Sequence, residues 1–355
     1  MSIRAHFPIT NEITYLNTAA CGLISDEVFK AKNEDNAILF NNTPMYQERE
    51  NDIVTETKTL ISEIYNADVD NIAITPNYSL SFNHILDGLD RELEFLCLND
   101  DYPSLLFPIQ KRGFKLNTIE ITYHVEQDIY DYVERHRPDV LALSITQFLN
   151  GIYIKPSFLS KLKNDFPNLL ILADATQYLG VEEFNFKDSK IDALVSSCYK
   201  WLNAGLGSCI VLLSEELKNK LDSKTIGANS LIDKTKTATR GVGFLEPGHF
   251  EINSIVSLQA ALKLHYQNIG IDIISKRIHK LSKLAFEKFK ALELLDSQSS
   301  QRPFHSSIFN LNIDTNRLEF LQKQNIYVSK RGNGLRISFH YYNSQEDLAH
   351  FLRTI

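Results

Sequence analysis

Residues 172 to 214 read LADATQYLGVEEFNFKDSKIDALVSSCYKWLNAGLGSCIVLLS, and this stretch decides the fold. An apolar run ends directly on Asp174, and Lys200 follows a second candidate strand. Strands that a parallel sheet buries on both faces are continuously apolar, as LLILA at 169–173 and CIVLL at 209–213 are. Ligands of open parallel sheets bind at the carboxyl ends of the strands, which places Asp174 and Lys200 at one candidate site.

Outward from this stretch, short apolar or β-branched runs alternate with longer amphipathic segments from about residue 70 onward. The predicted strands are Ile72–Thr75, Glu94–Leu98, Lys115–Ile121, Val140–Ile145, Leu169–Ala173, Ala193–Ser196 and Cys209–Leu213. The predicted helices between them are Ser79–Leu89, Tyr102–Arg112, Asp128–Arg135 and Phe158–Phe166. This alternation predicts an α/β fold in which a mostly parallel, seven-stranded sheet lies between helices.

The pattern differs on both sides of this α/β region. Residues 26 to 66 are polar, with apolar positions at helical spacing. Beyond residue 240 the predicted elements are the helices Glu251–Asn268, Ile271–Leu294 and Ser344–Leu352 and the strands Ser306–Ile313, Ile326–Val328 and Leu335–Phe339. We therefore expect an N-terminal segment (1–14), a large domain (15–250) and a smaller α+β C-terminal domain (251–355).

The composition is that of a globular protein of about two domains. The chain has 355 residues and 40.6 kDa, with a net charge of 37 − 44 = −7. Such a chain has no bulk basic field, so neither nucleic acid nor a membrane surface is an expected partner. The four cysteines, at 21, 97, 198 and 209, form neither a disulfide framework nor a zinc pattern, and no metal site is expected. The N-terminus lacks the apolar run of a signal peptide, which predicts a cytoplasmic protein.

Two interpretations of the aspartate and lysine are open from the residues themselves. A carboxylate and an amine at one end of a sheet are most simply a structural ion pair. The alternative is a pyridoxal phosphate site, which needs a lysine for the Schiff base and a carboxylate beside the pyridine nitrogen. It also needs donors for the phosphate, often hydroxyl groups and the amides of a helix N-terminus.

Five segments of the chain, in order, resemble the class V aminotransferase family of fold-type I pyridoxal phosphate enzymes. That family includes cysteine desulfurases, kynureninases and isopenicillin N epimerase-like proteins. The segments are Tyr15–Gly22, Thr75–Asn83, Asp101–Ser104, Asp174–Gln177 with Ser197–Gly205, and Leu335–Asn343 followed by Glu346 and Asp347. The run from Tyr199 to Gly205 looks most like kynureninase.

The resemblance implies a role at the cofactor for each matching residue. Lys200 would form the Schiff base and carry protons at the substrate α-carbon, and Asp174 would pair with the pyridine nitrogen. Gln177 would bond the ring O3′ oxygen. Tyr102 would stack on the ring, although packing within its loop is an equal alternative. The residues that would hold the phosphate are Tyr78, Ser79, Ser197 and Tyr199; Tyr78 could contribute its backbone alone, and Ser197 could instead cap a turn.

The resemblance also implies residues on the substrate side and a partner subunit. Arg336 would clamp the substrate carboxylate, with an ion pair to Glu346 or Asp347 as the alternative. Asn17 would line the substrate side. His249 replaces a threonine whose hydroxyl reaches the phosphate of the neighbouring subunit in the family, so it could take that role. A homodimer with its active site at the interface is therefore expected.

The most probable activity implied by these residues is transamination of an amino acid, because Lys200 can move protons unaided. A lyase that cleaves a C–S bond or eliminates a β-substituent, like kynureninase or a cysteine lyase, is the first alternative, and epimerisation is another outcome of the same chemistry. A non-catalytic binding protein ranks low, since Lys200, Asp174 and Arg336 are all present. A cysteine desulfurase that forms a persulfide is not expected, because the loop 327–334 before Arg336 has no cysteine.

Overall fold

The structure is a computed structural model and describes residues 3–231 and 241–355. Its strands are β1 (Thr14–Tyr15), β2 (Ile72–Thr75), β3 (Glu94–Leu98), β4 (Lys115–Ile119), β5 (Val140–Ser144), β6 (Leu170–Asp174), β7 (Ala193–Ser197), β8 (Cys209–Leu213), β9 (Ile308–Leu311), β10 (Ile326–Tyr327), β11 (Ser329–Arg331) and β12 (Gly334–Ser338).

The α-helices of the structure include a counterpart of each predicted helix, together with several that were not predicted. They are α1 (Asp26–Asn41), α2 (Thr43–Glu48), α3 (Glu50–Tyr65), α4 (Tyr78–Gly88), α5 (Pro103–Lys111), α6 (Val125–His136), α7 (Pro156–Asp165), α8 (Phe186–Ser189), α9 (Glu215–Lys220), α10 (Ile252–Leu262), α11 (Ile271–Ala291), α12 (Ser297–Ser300), α13 (Leu318–Lys323) and α14 (Gln345–Thr354). Short 3-10 turns are Ile3–His6, Pro8–Asn11, Val69–Asn71, Ala228–Ser230, Gly243–Leu245 and Thr315–Arg317.

The central sheet has seven strands in the order β2-β8-β7-β6-β5-β3-β4. Only β8 runs against the others, since it pairs antiparallel with both β2 and β7. The remaining neighbours pair in parallel. The expectation of an α/β fold with a mostly parallel sheet is therefore confirmed. The register aligns Ser144 with Asp174 at the carboxyl ends of β5 and β6.

Helices cover both faces of this sheet, which is why its inner strands β5 to β8 are buried and largely apolar. Successive strand residues point to opposite faces, so Leu141 and Leu143 join one core cluster while Val140 and Ala142 join the other. All five residues of β5 are buried, and the same holds for β6, β7 and β8. A sheet buried on both faces exposes only its strand ends and loops to ligands.

A second, smaller sheet lies in the C-terminal part of the chain. It is antiparallel, with the order β11-β12-β9, and its core includes Phe289 of α11, Phe309, Phe339 and Phe351. The strand β11 was not predicted. The predicted helix 251–268 is shorter than expected, because α10 ends at Leu262 and continues as a π-helical turn, Lys263–Ile269.

The N-terminal segment packs against the C-terminal part. Strand β1 pairs in parallel with β10, with Thr14 opposite Ile326. The ring of Phe7 contacts those of Tyr341 and Tyr342 at centroid distances of 5.7 and 4.9 Å. The domain limits at residues 14 and 250 stay a prediction. No helix within residues 3–231 and 241–355 has the length and apolar character needed to cross a bilayer.

Candidate active site

A small cavity of about 120 Å3 lies at the carboxyl ends of β5, β6 and β7. Its walls are Asn77, Tyr78, Ser79, Tyr102, Ser144, Thr146, Phe148, Asp174, Thr176, Gln177, Ser197, Tyr199 and Lys200. Eight of the sequence-predicted site residues are in this set. A larger open cleft of about 1190 Å3 shares Thr146 and Gln177 with it but contains neither Lys200 nor Asp174. The chemistry that the sequence predicts therefore belongs to the smaller cavity.

Lys200 and Asp174 face this cavity without pairing with each other. Each is only 6% exposed, yet no ion pair within 4.0 Å joins them. Burial raises the pKa of Asp174 to about 6, although the backbone N–H of Thr176 donates to its carboxylate at 2.8 Å. Burial likewise lowers the pKa of Lys200 to about 8, although Asp174 opposes this shift. An amine with such a pKa is partly unprotonated near neutral pH, as a nucleophilic lysine must be.

The loop that carries Lys200 is held by close backbone packing. Asn203 takes a left-handed conformation with φ +58°, and the N–H of Ala204 bonds the carbonyl of Cys198 at 3.1 Å. Gly22 lies directly on this loop, since a Cβ there would come within 2.0 Å of the Lys200 carbonyl oxygen. The segment Tyr15–Gly22 therefore needs glycine at its end for a steric reason.

The C-terminal segment that resembles the family also supports this loop. His340 is fully buried, and its Nε2 lies 3.0 Å from the carbonyl oxygen of Trp201. Because a carbonyl can only accept, Nε2 carries the hydrogen in this bond. Asn343 accepts from the N–H of His340 at 2.8 Å and donates to the carbonyl of Tyr15 at 3.0 Å. These residues thus join three distant segments of the chain rather than lining the cavity.

The N-terminus of α4 forms one end of the cavity. The Asn77 side chain caps this helix by accepting from the N–H of Leu80 at 3.0 Å. The N–H of Tyr78 donates to Ser197 Oγ at 3.1 Å, and Ser79 Oγ donates to Ser104 Oγ at 3.0 Å. Helix N-termini bind anions through free amides and the positive end of the helix dipole. This end of the cavity therefore suits a phosphate.

The aromatic residues of the site differ in what they present. The Tyr78 ring stacks on Phe82 at 5.4 Å within the core, and its buried Oη has no partner among the described residues. The ring centroids of Tyr102 and Tyr199 lie 5.6 and 5.7 Å from Lys200 Nζ. Burial raises the pKa of Tyr199 to about 12. Tyr102 and Tyr199 therefore flank the amine, while Tyr78 offers its backbone to the helix end.

The Gln177 amide is already engaged at the edge of the cavity. Its Nε2 donates to the carbonyl of Ala19 at 2.9 Å, and its Oε1 accepts from Trp201 Nε1 at 2.7 Å. One hydrogen of the NH2 group remains for a ligand oxygen. These bonds fix the orientation of the amide, because Trp201 Nε1 can only donate.

Arg336 is buried on β12 and is 3% exposed. Its Nη1 donates to the carbonyl of Phe148 at 2.7 Å, and its Nε has no partner in the described part of the chain. The alternative of an ion pair with Glu346 or Asp347 is wrong, because Asp347 binds Arg4 at 3.0 Å instead. No carboxylate of residues 3–231 or 241–355 lies within 4.0 Å of Arg336. Burial lowers its pKa to about 10.

Asn17 and His249 lie outside the cavity wall. The buried Oδ1 of Asn17 has no hydrogen-bond partner among the described residues. His249 is exposed and contacts Glu50, with Nδ1 3.0 Å from Oε2. Within one subunit the structure therefore does not bring His249 to Lys200, and its contact with a neighbouring subunit stays a proposal.

A comparison with protein families matches residues 14–351 to the model for aminotransferase class-V. The chain belongs to the class-V aminotransferase family. It is thus a pyridoxal phosphate-dependent enzyme, as the sequence predicts.

Relatives of this class-V enzyme span its whole length. A probable cysteine desulfurase of Pyrococcus abyssi is 24% identical over 99% of this chain and 95% of its own. Two structures of the cystine C–S lyase C-DES, one described with glycine covalently linked to its cofactor and one with its product cysteine persulfide, have TM-scores of 0.89 and 0.87. Each is 17% identical to this chain. The two matches cover 99% and 98% of this chain, respectively, and 98% of the C-DES chain in both cases. An apo cysteine desulfurase of Thermococcus onnurineus NA1 has a TM-score of 0.86 at 20% identity, covering 99% and 96% of the two chains.

The residues present in this class-V enzyme fit pyridoxal phosphate. Lys200 and Asp174 both line the cavity and form no ion pair with each other, so Lys200 would carry the Schiff base and Asp174 would pair with the pyridine nitrogen. The N-terminus of α4 with Ser197 would hold the phosphate, and Tyr102 would cover one ring face. The orphaned polar atoms of Tyr78 and Arg336 indicate that the site is completed by a polar ligand.

Sequence reasoning missed several residues of the cavity wall. They are Asn77, Ser144, Thr146, Phe148 and Thr176. Thr176 Oγ1 accepts from the N–H of Ser197 at 3.1 Å, so it links two strand ends. The strand-end rule that identified Asp174 would also have found Ser144, which ends β5 beside it.

Proposed function

We propose that this class-V enzyme cleaves the bond between Cβ and sulfur in a cysteine-like amino acid, cysteine or cystine. The observation that supports an amino-acid substrate is Arg336, a buried guanidinium with no carboxylate of the described residues within 4.0 Å. Its positive charge also lowers the pKa of Lys200, so the two groups serve the same site. Burying an unpaired cation is costly, so a site retains one where a ligand anion completes it.

The substrate carboxylate would bind Arg336, since a planar guanidinium donates to both carboxylate oxygens at once. Its Nη1 is held on the Phe148 carbonyl, which leaves Nε and Nη2 to face the ligand. We assign the orphaned Oδ1 of Asn17 to the same side of the substrate. This arrangement orients the α-carbon toward Lys200.

Lys200 would transfer protons at the substrate α-carbon, and Asp174 would keep the pyridine nitrogen protonated. Pyridoxal phosphate, when bound, supplies an electron sink for the bond that breaks at the α-carbon. Lys200, whose pKa burial lowers to about 8, takes the α-proton and can return it elsewhere. The Asp174 carboxylate holds a proton on the pyridine nitrogen, and Thr176 fixes its orientation.

C–S cleavage replaces transamination as the preferred activity because of the relatives' names. C-DES is described as a cystine C–S lyase, and two of the relatives as cysteine desulfurases. The exclusion of cysteine desulfurase activity therefore has no support, although residues 327–334 contain no cysteine. Without a thiol in that loop, we infer that sulfur leaves as sulfide or as a small persulfide.

Product analysis tests this proposal. The cofactor-loaded enzyme is incubated with L-cysteine or L-cystine, and sulfide, persulfide, pyruvate, ammonia and alanine are quantified. We expect pyruvate and ammonia in equal amounts with one sulfur product, because the sulfur group leaves with a proton and one water then hydrolyses the released enamine. Lys200→Ala should abolish turnover, whereas Lys288→Ala, an exposed lysine of α11, should not. A keto acid that retains its sulfur, with the amino group left on the enzyme, would contradict the proposal and favour transamination.

We also propose that the enzyme is a cytoplasmic homodimer. All four cysteines are unpaired thiols, three of them buried, which suits a reducing compartment. Large apolar side chains are exposed on α1, at Phe29 and Phe40, and on the loop after Lys200, at Leu206. A second copy of the chain would cover such surfaces and would bring His249 to a neighbouring site.

A further inference from the structure

Asp101 is a buried carboxylate beside the cavity, and it begins a segment that resembles the family although the resemblance assigns it no role. It follows β3 and is 3% exposed. Its Oδ1 accepts from the N–H of Tyr102 at 2.6 Å and from Ser144 Oγ at 2.5 Å. Its Oδ2 accepts from the N–H of Ser144 at 2.8 Å and from Gln147 Nε2 at 3.4 Å. One side chain thus joins the start of α5 to the end of β5.

These hydrogen bonds are what stabilises the negative charge of Asp101. No basic side chain within the described ranges lies within 4.0 Å of it. Burial raises its pKa, and the four donors oppose that shift. The titratable groups that face it are Asp174 on β6, Tyr78 on α4 and Cys97 on β3, each of which has a pKa raised in part by the Asp101 charge.

Both segments tied by Asp101 carry groups that face the candidate ligand. Tyr102 is the N-cap residue of α5, and its ring lies 5.6 Å from Lys200 Nζ. The chain after β5 leads to Phe148, whose carbonyl accepts from Arg336 and whose ring contacts that of Tyr102 at 5.3 Å. A shift of the Asp101 side chain would therefore move both the Tyr102 ring and the Arg336 guanidinium.

We propose that Asp101 is a positioning residue that sets Tyr102 and the Phe148–Arg336 contact, and that its negative charge favours the protonated state of the cofactor-bound Lys200. This inference rests on the cofactor site of the proposed function and not on which bond is cleaved. No metal or second substrate is needed for it.

Asparagine is the informative substitution, because it has the shape of aspartate but cannot satisfy the same donors. Each carboxylate oxygen accepts from one backbone N–H, that of Tyr102 or that of Ser144. The NH2 group of an asparagine would oppose one of them whichever way the amide is turned. Asp101→Asn therefore removes the charge and loosens one of the two segments.

Asp192 offers a matched control at the opposite edge of the sheet. It is 2% exposed and accepts from the N–H of Ile171 at 2.9 Å and from Ser214 Oγ at 3.0 Å, just before β7 begins. Asp192→Asn should lower the melting temperature as Asp101→Asn does, because both variants lose a buried, hydrogen-bonded carboxylate, and at Asp192 the ion pair with Lys163 at 2.9 Å is lost with it. Asp192 is remote from Lys200, so its loss should leave the spectrum of the bound cofactor unchanged.

The test is a pH titration of the visible absorbance of the lysine-bound cofactor, without amino-acid substrate. We expect the titration midpoint to fall by on the order of 0.5–1 pH unit in Asp101→Asn, because the negative charge of Asp101, which acts on Asp174 in the same cavity, would stabilise the protonated form. Asp101→Glu, which keeps the charge, should restore part of the shift, and Asp192→Asn should show none. A wild-type midpoint in Asp101→Asn, or an equal shift in Asp192→Asn, would overturn the inference. The readout precedes any substrate chemistry, so it stands whether or not C–S cleavage is found.

Discussion

At the scale of single residues, the site is a group of buried charges without close partners. Lys200 and Arg336 are each more than nine-tenths buried, and neither forms an ion pair within the described part of the chain. Asp174 and Asp101 are buried carboxylates held by hydrogen bonds. Elsewhere a protein interior avoids such groups, so their concentration at one cavity indicates function rather than stability.

Lys200 should make the stability of the cofactor-free protein depend on pH. Below about pH 8 the lysine is protonated in the folded and the unfolded chain, so the full cost of burying its charge is present. Between about pH 8 and 10.5 only the unfolded chain keeps the proton, and stability should rise with pH by about 3 kcal/mol relative to Lys200→Met. Urea unfolding of both proteins at several pH values measures this. Parallel stability curves would contradict the buried-cation account.

The Arg336→Leu variant should weaken substrate binding without lowering the free energy of unfolding. Removing a buried, unpaired cation should leave the free energy of unfolding equal or higher, while KM for the amino acid rises about 100-fold or more as the carboxylate loses its partner. Arg302 is the control, since it is equally buried but pairs with Glu126 at 2.6 Å. Arg302→Leu should cost about 3 kcal/mol of stability, because it strands that carboxylate. A destabilised Arg336→Leu protein with an unchanged KM would refute the assigned role.

At the scale of secondary-structure elements, the sequence predicts the helices and strands that have a hydrophobic pattern of their own. Most strands of the central sheet are largely apolar runs, with the exception of β4, and each predicted strand is present. The strand Ser329–Arg331 was missed because it is largely exposed and polar, so nothing in its sequence distinguishes it from a loop. Strand Thr14–Tyr15 forms only through a distant partner at Ile326. Contacts of this kind depend on tertiary structure and leave no periodic signal.

The cap of α4 provides a prediction at this scale. Asn77→Ala should cost about 1 kcal/mol of stability, as loss of a helix cap does, and should also weaken the affinity of the apoenzyme for pyridoxal phosphate. Ser25 caps α1 in the same way, accepting from the N–H of Val28 at 3.3 Å, and lies outside the cavity wall. Ser25→Ala should match the loss of stability without changing the affinity. Equal affinities in the two variants would show that the helix end does not hold the phosphate.

At the scale of the whole molecule, the site is assembled from distant parts of the chain. Residues 15–22 reach the Lys200 loop through the bond from the Gly22 N–H to the Tyr199 carbonyl at 2.8 Å, and Ser338 Oγ accepts from the N–H of Ala19 at 3.0 Å. His340 closes the arrangement on Trp201. The motifs predict which residues take part. Their relative placement follows from tertiary packing. The sequence therefore predicted neither the hydrogen bonds of Asp101 nor the ion pair of Asp347 with Arg4.

The proposed homodimer is testable by sedimentation. If exposed apolar surface on α1 and near Leu206 is covered by a second copy, the cofactor-loaded protein should sediment with about twice the 40.6 kDa of one chain. Dilution to low micromolar concentration should not change this for a stable interface. A monomer under these conditions would remove the proposed role of His249 at a neighbouring site.

The central claim is that Lys200 carries the cofactor, and its most direct test is chemical reduction. The loaded enzyme is treated with borohydride, digested, and its peptides are analysed by mass spectrometry. The account predicts one phosphopyridoxyl group, on the peptide that contains Lys200, and none in Lys200→Ala. Modification of a different lysine, or none at all in the loaded wild-type enzyme, would contradict it.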